Sequence, residues 1–248
     1  SGKNWDYFNI SGDSYSMTLD QTTLNEMRAN GLILGGHDYT ITGVTVEAAG
    51  SITYDFYAAK NEFTLDDAVK DGTWANRFMK ADLEKLTPYL MQLKQAGIPV
   101  LWRPLHEAAG KWFWWGNGSA ESYVKLWRYM YDYFKQKGLN NLIWVWTSEK
   151  ADASWYPGDE YVDIIGTDAY GQQNVPLSAE EMAERFNTLA YRYPKKMIAL
   201  TECGTVTDIP NQWKQNAKWS WFMPWYGGSH ASDDWWKATM NSDNVITR

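Results

Sequence analysis

The chain has 248 residues, close to the size of one (β/α)8 barrel or one large sandwich, and can bury a sizeable core without disulfides or metals. Its one cysteine, Cys203, excludes an internal disulfide and a multi-cysteine zinc cage. A net charge of −7 argues against a nucleic-acid partner, and the lack of any uncharged run of about 18 apolar residues argues against a membrane-spanning helix.

Short apolar runs alternate with helical patterns, which predicts βα units and a mostly parallel sheet. Strands are expected at residues 7–10, 32–37, 100–107, 142–148, 163–170, 197–203 and 219–225. Asp20 caps a helical run with Leu24 and Met27 that Gly31 stops. Residues 79–96 carry Met79, Leu83, Leu86, Leu90 and Leu93 at helical spacing, with Gly97 as terminator. Pro88 inside that run predicts a kink or an early break. Ser122 is expected to open a helix with Trp127, Met130 and Phe134 inward, stopped by Gly138. Residues 150–160 contain Pro157-Gly158 and leave little room for a full helix. Ser178 and Glu181 form a capping box ahead of Met182, Phe186 and Leu189. Asp233-Asp234 reads as the cap of a helix beginning at Trp235-Trp236 rather than as a calcium site. With no linker, repeat or charge block inside, residues 1–248 read as one domain. Residues 1–12 show no basic segment followed by an apolar one, so no export signal is read there.

Two stretches concentrate chemistry. Arg103-Pro104-Leu105-His106-Glu107 closes an apolar strand and runs into Ala108-Ala109-Gly110-Lys111-Trp112-Phe113-Trp114-Trp115-Gly116. Strand alternation puts Leu101, Arg103, Leu105 and Glu107 on one face, which in a barrel is the interior, with Glu107 at the C-terminal rim. A carboxylic acid walled by Trp at that place would have a raised pKa and could protonate a leaving group. The second stretch, Thr201-Glu202-Cys203-Gly204, again ends an apolar strand in a carboxylate. Two carboxylates at the ends of two parallel strands suit glycoside hydrolysis, one as acid/base and one as nucleophile; two structural ion pairs are the alternative. His106-Glu107 lacks the second His of a zinc protease motif. Cys203 alternates away from the face of Glu202 and reads as a small buried residue. Asn9 and Asn117 open glycosylation sequons. The 16 Trp and 16 Tyr read either as core or as flat platforms for sugar rings. Trp127, Trp213, Trp219, Trp221, Trp235 and Trp236 fall on packing patterns, whereas Trp112, Trp225, Trp114, Trp115 and Trp146 fall at strand ends.

The Arg-Pro-Leu-His-Glu motif followed by Gly-Lys-Trp-Phe-Trp-Trp-Gly closely resembles glycoside hydrolase family 26, known mainly for endo-β-1,4-mannanases. Thr201-Glu202-Cys203-Gly204 resembles the nucleophile strand of that family, and Gly166-Thr167-Asp168-Ala169-Tyr170-Gly171 resembles its strand-6 motif. The resemblance spans about residue 30 to the C-terminus. It implies a (β/α)8 TIM barrel in which Glu107 ends the fourth strand and Glu202 the seventh. By that count strand 1 is expected upstream of this chain's start or missing from it. It also implies a retaining double displacement on β-1,4-mannan, galactomannan or glucomannan, with Glu107 as acid/base and Glu202 as nucleophile.

The other roles follow by resemblance. Tyr170 would donate a hydrogen bond to Glu202. Arg103 could pair with Glu202 or serve as a barrel-core ion pair. His37 and His106 match positions that bind the sugar just before the cleaved bond. Trp112 matches the Trp lining the acid/base, and Trp225 the platform under the reactive sugar. Two departures stand out. Trp225 is followed by Tyr226-Gly227-Gly228 rather than a neighbouring Arg, and the third strand ends His37-Asp38-Tyr39-Thr40 rather than in the pattern common in the family. Alternatives within the same fold are mixed-linkage β-1,3-1,4-glucan or xylan as substrate, or carbohydrate binding without catalysis. No metal or organic cofactor is required by this chemistry. A polysaccharide substrate implies a secreted or cell-surface setting, and a monomer is expected.

Overall fold

The computed structural model describes residues 15–16, 41–42, 45–46, 51–52, 57–58, 63–172, 175–226 and 231–247. The strands expected at 7–10 and 32–37, the helix after Asp20, and His37 itself lie outside the described residues. The chain divides into two units, Ser1–Met91 with Ala108–Lys137 and Gln92–Glu107 with Gly138–Arg248.

In the first unit, four two-residue strands, β1 (Tyr15–Ser16), β2 (Ile41–Thr42), β3 (Thr45–Val46) and β4 (Ser51–Ile52), pair antiparallel as β1 with β4 and β2 with β3. The short helix α1 (Leu65–Ala68) is capped by Thr64, whose hydroxyl accepts the Asp67 N–H at 3.2 Å. Helix α2 (Trp74–Gln95) passes through Pro88 without the break its sequence predicts. Burial explains this: Met79 and Leu83 before the proline and Leu90 after it are all buried on one face. The loss of one backbone donor is offset by that continuous apolar stripe. Helix α3 (Ala120–Gln136) begins at Ala120, two residues before the expected Ser122. Ser119 is the cap, and Ser122 supplies the N–H that its hydroxyl accepts at 3.0 Å. Tyr123, Leu126, Trp127, Met130 and Phe134 form the buried face.

The second unit is built on a parallel sheet. Strands β5 (Val100–Trp102), β6 (Leu142–Thr147), β7 (Ile164–Tyr170), β8 (Met197–Gly204) and β9 (Phe222–Pro224) lie side by side in chain order. Each neighbouring pair is parallel. Strands β6 to β8 read as near-continuous apolar runs because both faces of a parallel sheet are covered. Val145, Ile164 and Ala199 form a buried cluster, with Ile143 and Trp221 packed on it. Gly97 and Gly138 take left-handed φ values of 70° and 80°, which glycine adopts without steric cost after a helix.

Strand β5 is shorter than expected. It stops at Trp102, and the backbone turns left-handed at Leu105 (φ 51°) and Glu107 (φ 53°). Strand alternation therefore fails beyond Trp102, and Leu101 is exposed rather than interior. Residues between 150 and 162 form two 3₁₀ turns, Ala153–Trp155 and Asp159–Tyr161. Helix α4 (Ala179–Arg192) has the predicted box: the Ser178 hydroxyl accepts the Glu181 N–H at 3.2 Å and the Glu181 carboxylate accepts the Ser178 N–H at 2.7 Å. Helix α5 (Ile209–Lys214) follows β8. Helix α6 (Asp233–Met240) starts two residues before the expected Trp235 because Ser232 is the cap; Asp233 and Asp234 lie in its first turn. Trp127, Trp219 and Trp235 are buried as packing residues, whereas Trp236 is exposed. No helix among the described residues is long and apolar enough to cross a membrane.

Candidate active site

The C-terminal ends of β5 to β8 converge on one set of side chains. On β7, Asp168 and Tyr170 are two residues apart and so share a face. On β8 the register slips: Thr167 pairs with Leu200, but Asp168 pairs with Glu202. Thr201 is the extra residue of this bulge, and the bulge sets Glu202 beside Asp168. Beyond β5, the left-handed turns at Leu105 and Glu107 bring the Glu107 carboxyl to the same place. One carboxylate oxygen from each of Glu107, Asp168 and Glu202 lies within 4.8 Å of the other two.

Three acids this close repel one another, and Arg103 supplies the compensating charge. Its guanidinium donates through Nη2 to Glu202 Oε1 and through Nη1 to Asp168 Oδ2 at 3.2 Å and Thr147 Oγ1 at 3.0 Å. The spacing of the carboxylates would suit a small cation, but a cation is already built in as this guanidinium, whose planar fork matches two carboxylates at once. Thr201 Oγ1 donates to Asp168 Oδ1 at 2.6 Å. The Tyr170 hydroxyl donates to Glu202 Oε2 at 2.7 Å. His106 Nε2 lies 3.8 Å from Glu202 Oε1.

The electrostatics separate the two glutamates. Burial, a hydrogen bond shared with Asp168, and the charges of Asp168, Glu202 and Glu149 all push Glu107 up, to about 8. Burial and Asp168 also raise Glu202, but there the Tyr170 hydroxyl and the Arg103 guanidinium pull the other way. One carboxyl is thus held protonated at neutral pH while the other is supplied with donors that favour its ionised form. Burial, and next the Arg103 charge, lower His106 to about 4, so its imidazole is neutral beside Glu202. Burial and the bond to Glu202 raise the Tyr170 phenol, which remains a donor.

The structure brings Arg103, His106, Glu107, Tyr170 and Glu202 together. Trp225 follows β9, and its backbone N–H donates to the Cys203 carbonyl at 2.8 Å, which sets it next to the end of β8, where the residue is 37% exposed. Trp112 belongs to the first unit. There its carbonyl accepts the Ala58 N–H at 2.7 Å and the residue is 41% exposed. Trp114 and Trp115 pack in that same unit, against Phe63 and Phe113. Trp146, expected among the strand-end aromatics, is fully buried, because its ring packs against Tyr156 and Tyr193. Cys203 is buried, and burial pushes its thiol up to about 12, which keeps it an unreactive packing residue.

Sequence reasoning gave no role to Asp168, Thr201 or Glu149. Asp168 was findable, since alternation from Tyr170 puts it on the site face. Glu149, raised to about 7 by burial and then by Asp168 and Asp152, follows the end of β6. Thr201 carries no sequence signal, because a bulge is a property of pairing between strands.

Paired acids at the C-terminal ends of parallel barrel strands define a site of the paired-carboxylate class. The family model "Glycosyl hydrolase family 26" matches residues 41–246. A curated relative, mannan endo-1,4-beta-mannosidase B from Piromyces sp, is 36% identical over 200 residues, covering 80% of this chain and 32% of its own length. Among solved structures, the family 26 domain of an endo-beta-mannanase/endo-beta-glucanase from Prevotella bryantii superposes with a TM-score of 0.73 at 37% identity, covering 92% of this chain and 75% of that one. A beta-mannanase from a symbiotic protist of the termite Reticulitermes speratus, complexed with a gluco-manno-oligosaccharide, gives 0.71 at 41% identity, covering 79% and 62%. The chain belongs to glycosyl hydrolase family 26. Its fold is that of a (β/α)8 barrel, with β5 to β9 as consecutive parallel strands. The chain spans about a third of the length of the first curated relative.

Proposed function

We propose that this protein is a retaining endo-glycosidase that cleaves β-1,4-mannosidic bonds in mannan, galactomannan or glucomannan. The observation that carries the proposal is the proximity of Glu107 and Glu202, with one oxygen of each within 4.8 Å, where Glu202 alone of the two takes hydrogen bonds from Tyr170 and Arg103 that favour its ionised form. An approach this short falls below the roughly 6.5–9.5 Å gap that inverting enzymes keep for an attacking water, and it supports retention. In the first step a Glu202 oxygen attacks the anomeric carbon, the glycosidic C–O bond breaks, and the Glu107 proton passes to the leaving oxygen. In the second step Glu107, now a carboxylate, takes a proton from water. The water oxygen attacks the same carbon and frees Glu202. Tyr170 and Arg103 aim and charge-balance Glu202. Neutral His106 and the exposed face of Trp225 are suited to the sugar hydroxyls and ring. The mannan reading is supported by the names of the curated relative and of the two solved structures. A polymer of this size is met outside the cell, which supports a secreted or cell-surface setting.

Reducing-sugar release should be measured side by side on mannan, galactomannan, mixed-linkage glucan and xylan, with wild type and Glu202→Ala. Release from mannan by wild type, its loss in Glu202→Ala, and first-formed products of the β anomer are expected. Binding of mannan without cleavage by wild type would reduce the protein to a carbohydrate-binding module. An α-anomeric product would replace retention by inversion.

A further inference from the structure

The bulge in β8 gives Thr201 a place that the paired glutamates alone do not explain. Thr201 is fully buried, and its hydroxyl donates to Asp168 Oδ1 at 2.6 Å. Strand β7 leaves space for it at Gly166, where a Cβ would lie 2.3 Å from Thr201 Cγ2 and 2.5 Å from Oγ1. Asp168 is held from the other side by Arg103 Nη1 at 3.2 Å and shares a hydrogen bond with Glu107. A buried carboxylate carrying these contacts has little freedom to turn. We propose that Thr201 is a positioning residue: its hydroxyl fixes the Asp168 carboxylate in the orientation that accepts the Glu107 hydrogen bond, and so presents the Glu107 proton for transfer.

This rests on Glu107 being the acid/base, as proposed above. Among the described residues, the groups facing the Glu107–Asp168 pair are Tyr170 from β7, Glu202 and Cys203 from β8, Glu149 beyond β6, and Arg103 and His106 beyond β5. Of these, Arg103 is the cation; it bonds Glu202 through Nη2 and Asp168 through Nη1, and neither contact involves Thr201. Without the Thr201 donor, Asp168 becomes the stronger base and draws the shared proton toward itself. The pair then holds its proton to higher pH but delivers it less well.

The test compares Thr201→Val, which keeps the shape, with Thr201→Ser, which keeps the hydroxyl, in the full chain. With mannan as substrate, Thr201→Val should move the basic limb of the kcat/KM profile up by about one pH unit. It should also lower kcat about tenfold with KM within about twofold, and Thr201→Ser should restore both. An unmoved limb in Thr201→Val, or a Thr201→Ser variant that behaves like it, overturns the proposal. If Thr201→Val does not fold, Thr201→Ala carries the same comparison. The Glu107 carboxyl NMR resonance, assigned by its loss in Glu107→Gln, separates the two levels of inference. A titration that moves in Thr201→Val while wild type cleaves no mannan upholds the positioning and overturns the functional reading. Cleavage with an unmoved titration does the reverse.

Discussion

The phenol of Tyr170 donates a 2.7 Å hydrogen bond to Oε2 of Glu202, while the other oxygen of that carboxylate takes the Arg103 guanidinium. Each oxygen of Glu202 therefore has its own donor, one at the end of β7 and the other just beyond β5. This fixes the carboxylate plane, which a nucleophile needs more than it needs raw charge.

Tyr170→Phe removes one of those donors and leaves the ring in place. A hydrogen bond to a charged group contributes about 1.5–3 kcal/mol, so kcat/KM on mannan should fall roughly 10- to 150-fold with the melting temperature little changed. Steady-state kinetics beside a thermal melt check this. Unchanged kcat/KM would mean that Arg103 alone suffices to hold Glu202.

The raised Glu107 predicts a pH-dependent stability difference. Its folded value, about 8, lies above the ordinary 4.5 of the unfolded chain. The folded state therefore binds more protons between those values, and wild type loses stability as pH rises through that window. A neutral glutamine loses nothing there. Glu107→Gln should match wild type below about pH 4.5 and melt progressively higher than wild type up to about pH 8, with a constant gain beyond. Melts across that range test it, and parallel curves would show that Glu107 is not perturbed. The same titration predicts that wild-type activity falls as pH rises through about 8.

Gly166→Ala tests the spacing of β7 and β8. Its Cβ would overlap both branches of Thr201, which sits in a packed strand and cannot swing away. Overpacking of this kind costs about 1–3 kcal/mol, and it displaces the hydroxyl that holds Asp168. Both stability and kcat should fall. Denaturant unfolding with kinetics on the same preparation checks the pairing of the two losses.

Much of this was legible along the chain because it is local. The Ser178–Glu181 box and the stops at Gly97 and Gly138 depend on residues a few positions apart, and the apolar runs of β6, β7 and β8 show burial on both faces directly. The motifs around Glu107, Tyr170 and Glu202 likewise named the residues that meet. What failed was local inference where tertiary packing prevails. Pro88 stays in α2 because Met79, Leu83 and Leu90 bury one continuous face around it. Trp146 is core because its neighbours in space are Tyr156 and Tyr193, far from it in no simple period.

The sequence by itself determined the family, the parallel βα order and the identity of the two glutamates. Hydrophobic period, caps and short motifs are properties of neighbouring residues. Only the tertiary structure decided how the acids are set against each other. The one-residue slip at Thr201 depends on the pairing of β8 with β7, where Thr201 meets Asp168 33 residues away, and the charge balance depends on Arg103 reaching Glu202 across 99 residues. They place Asp168, to which the sequence motif gave no role, at the centre of the site, because a carboxylate's proton affinity is fixed by what surrounds it in space.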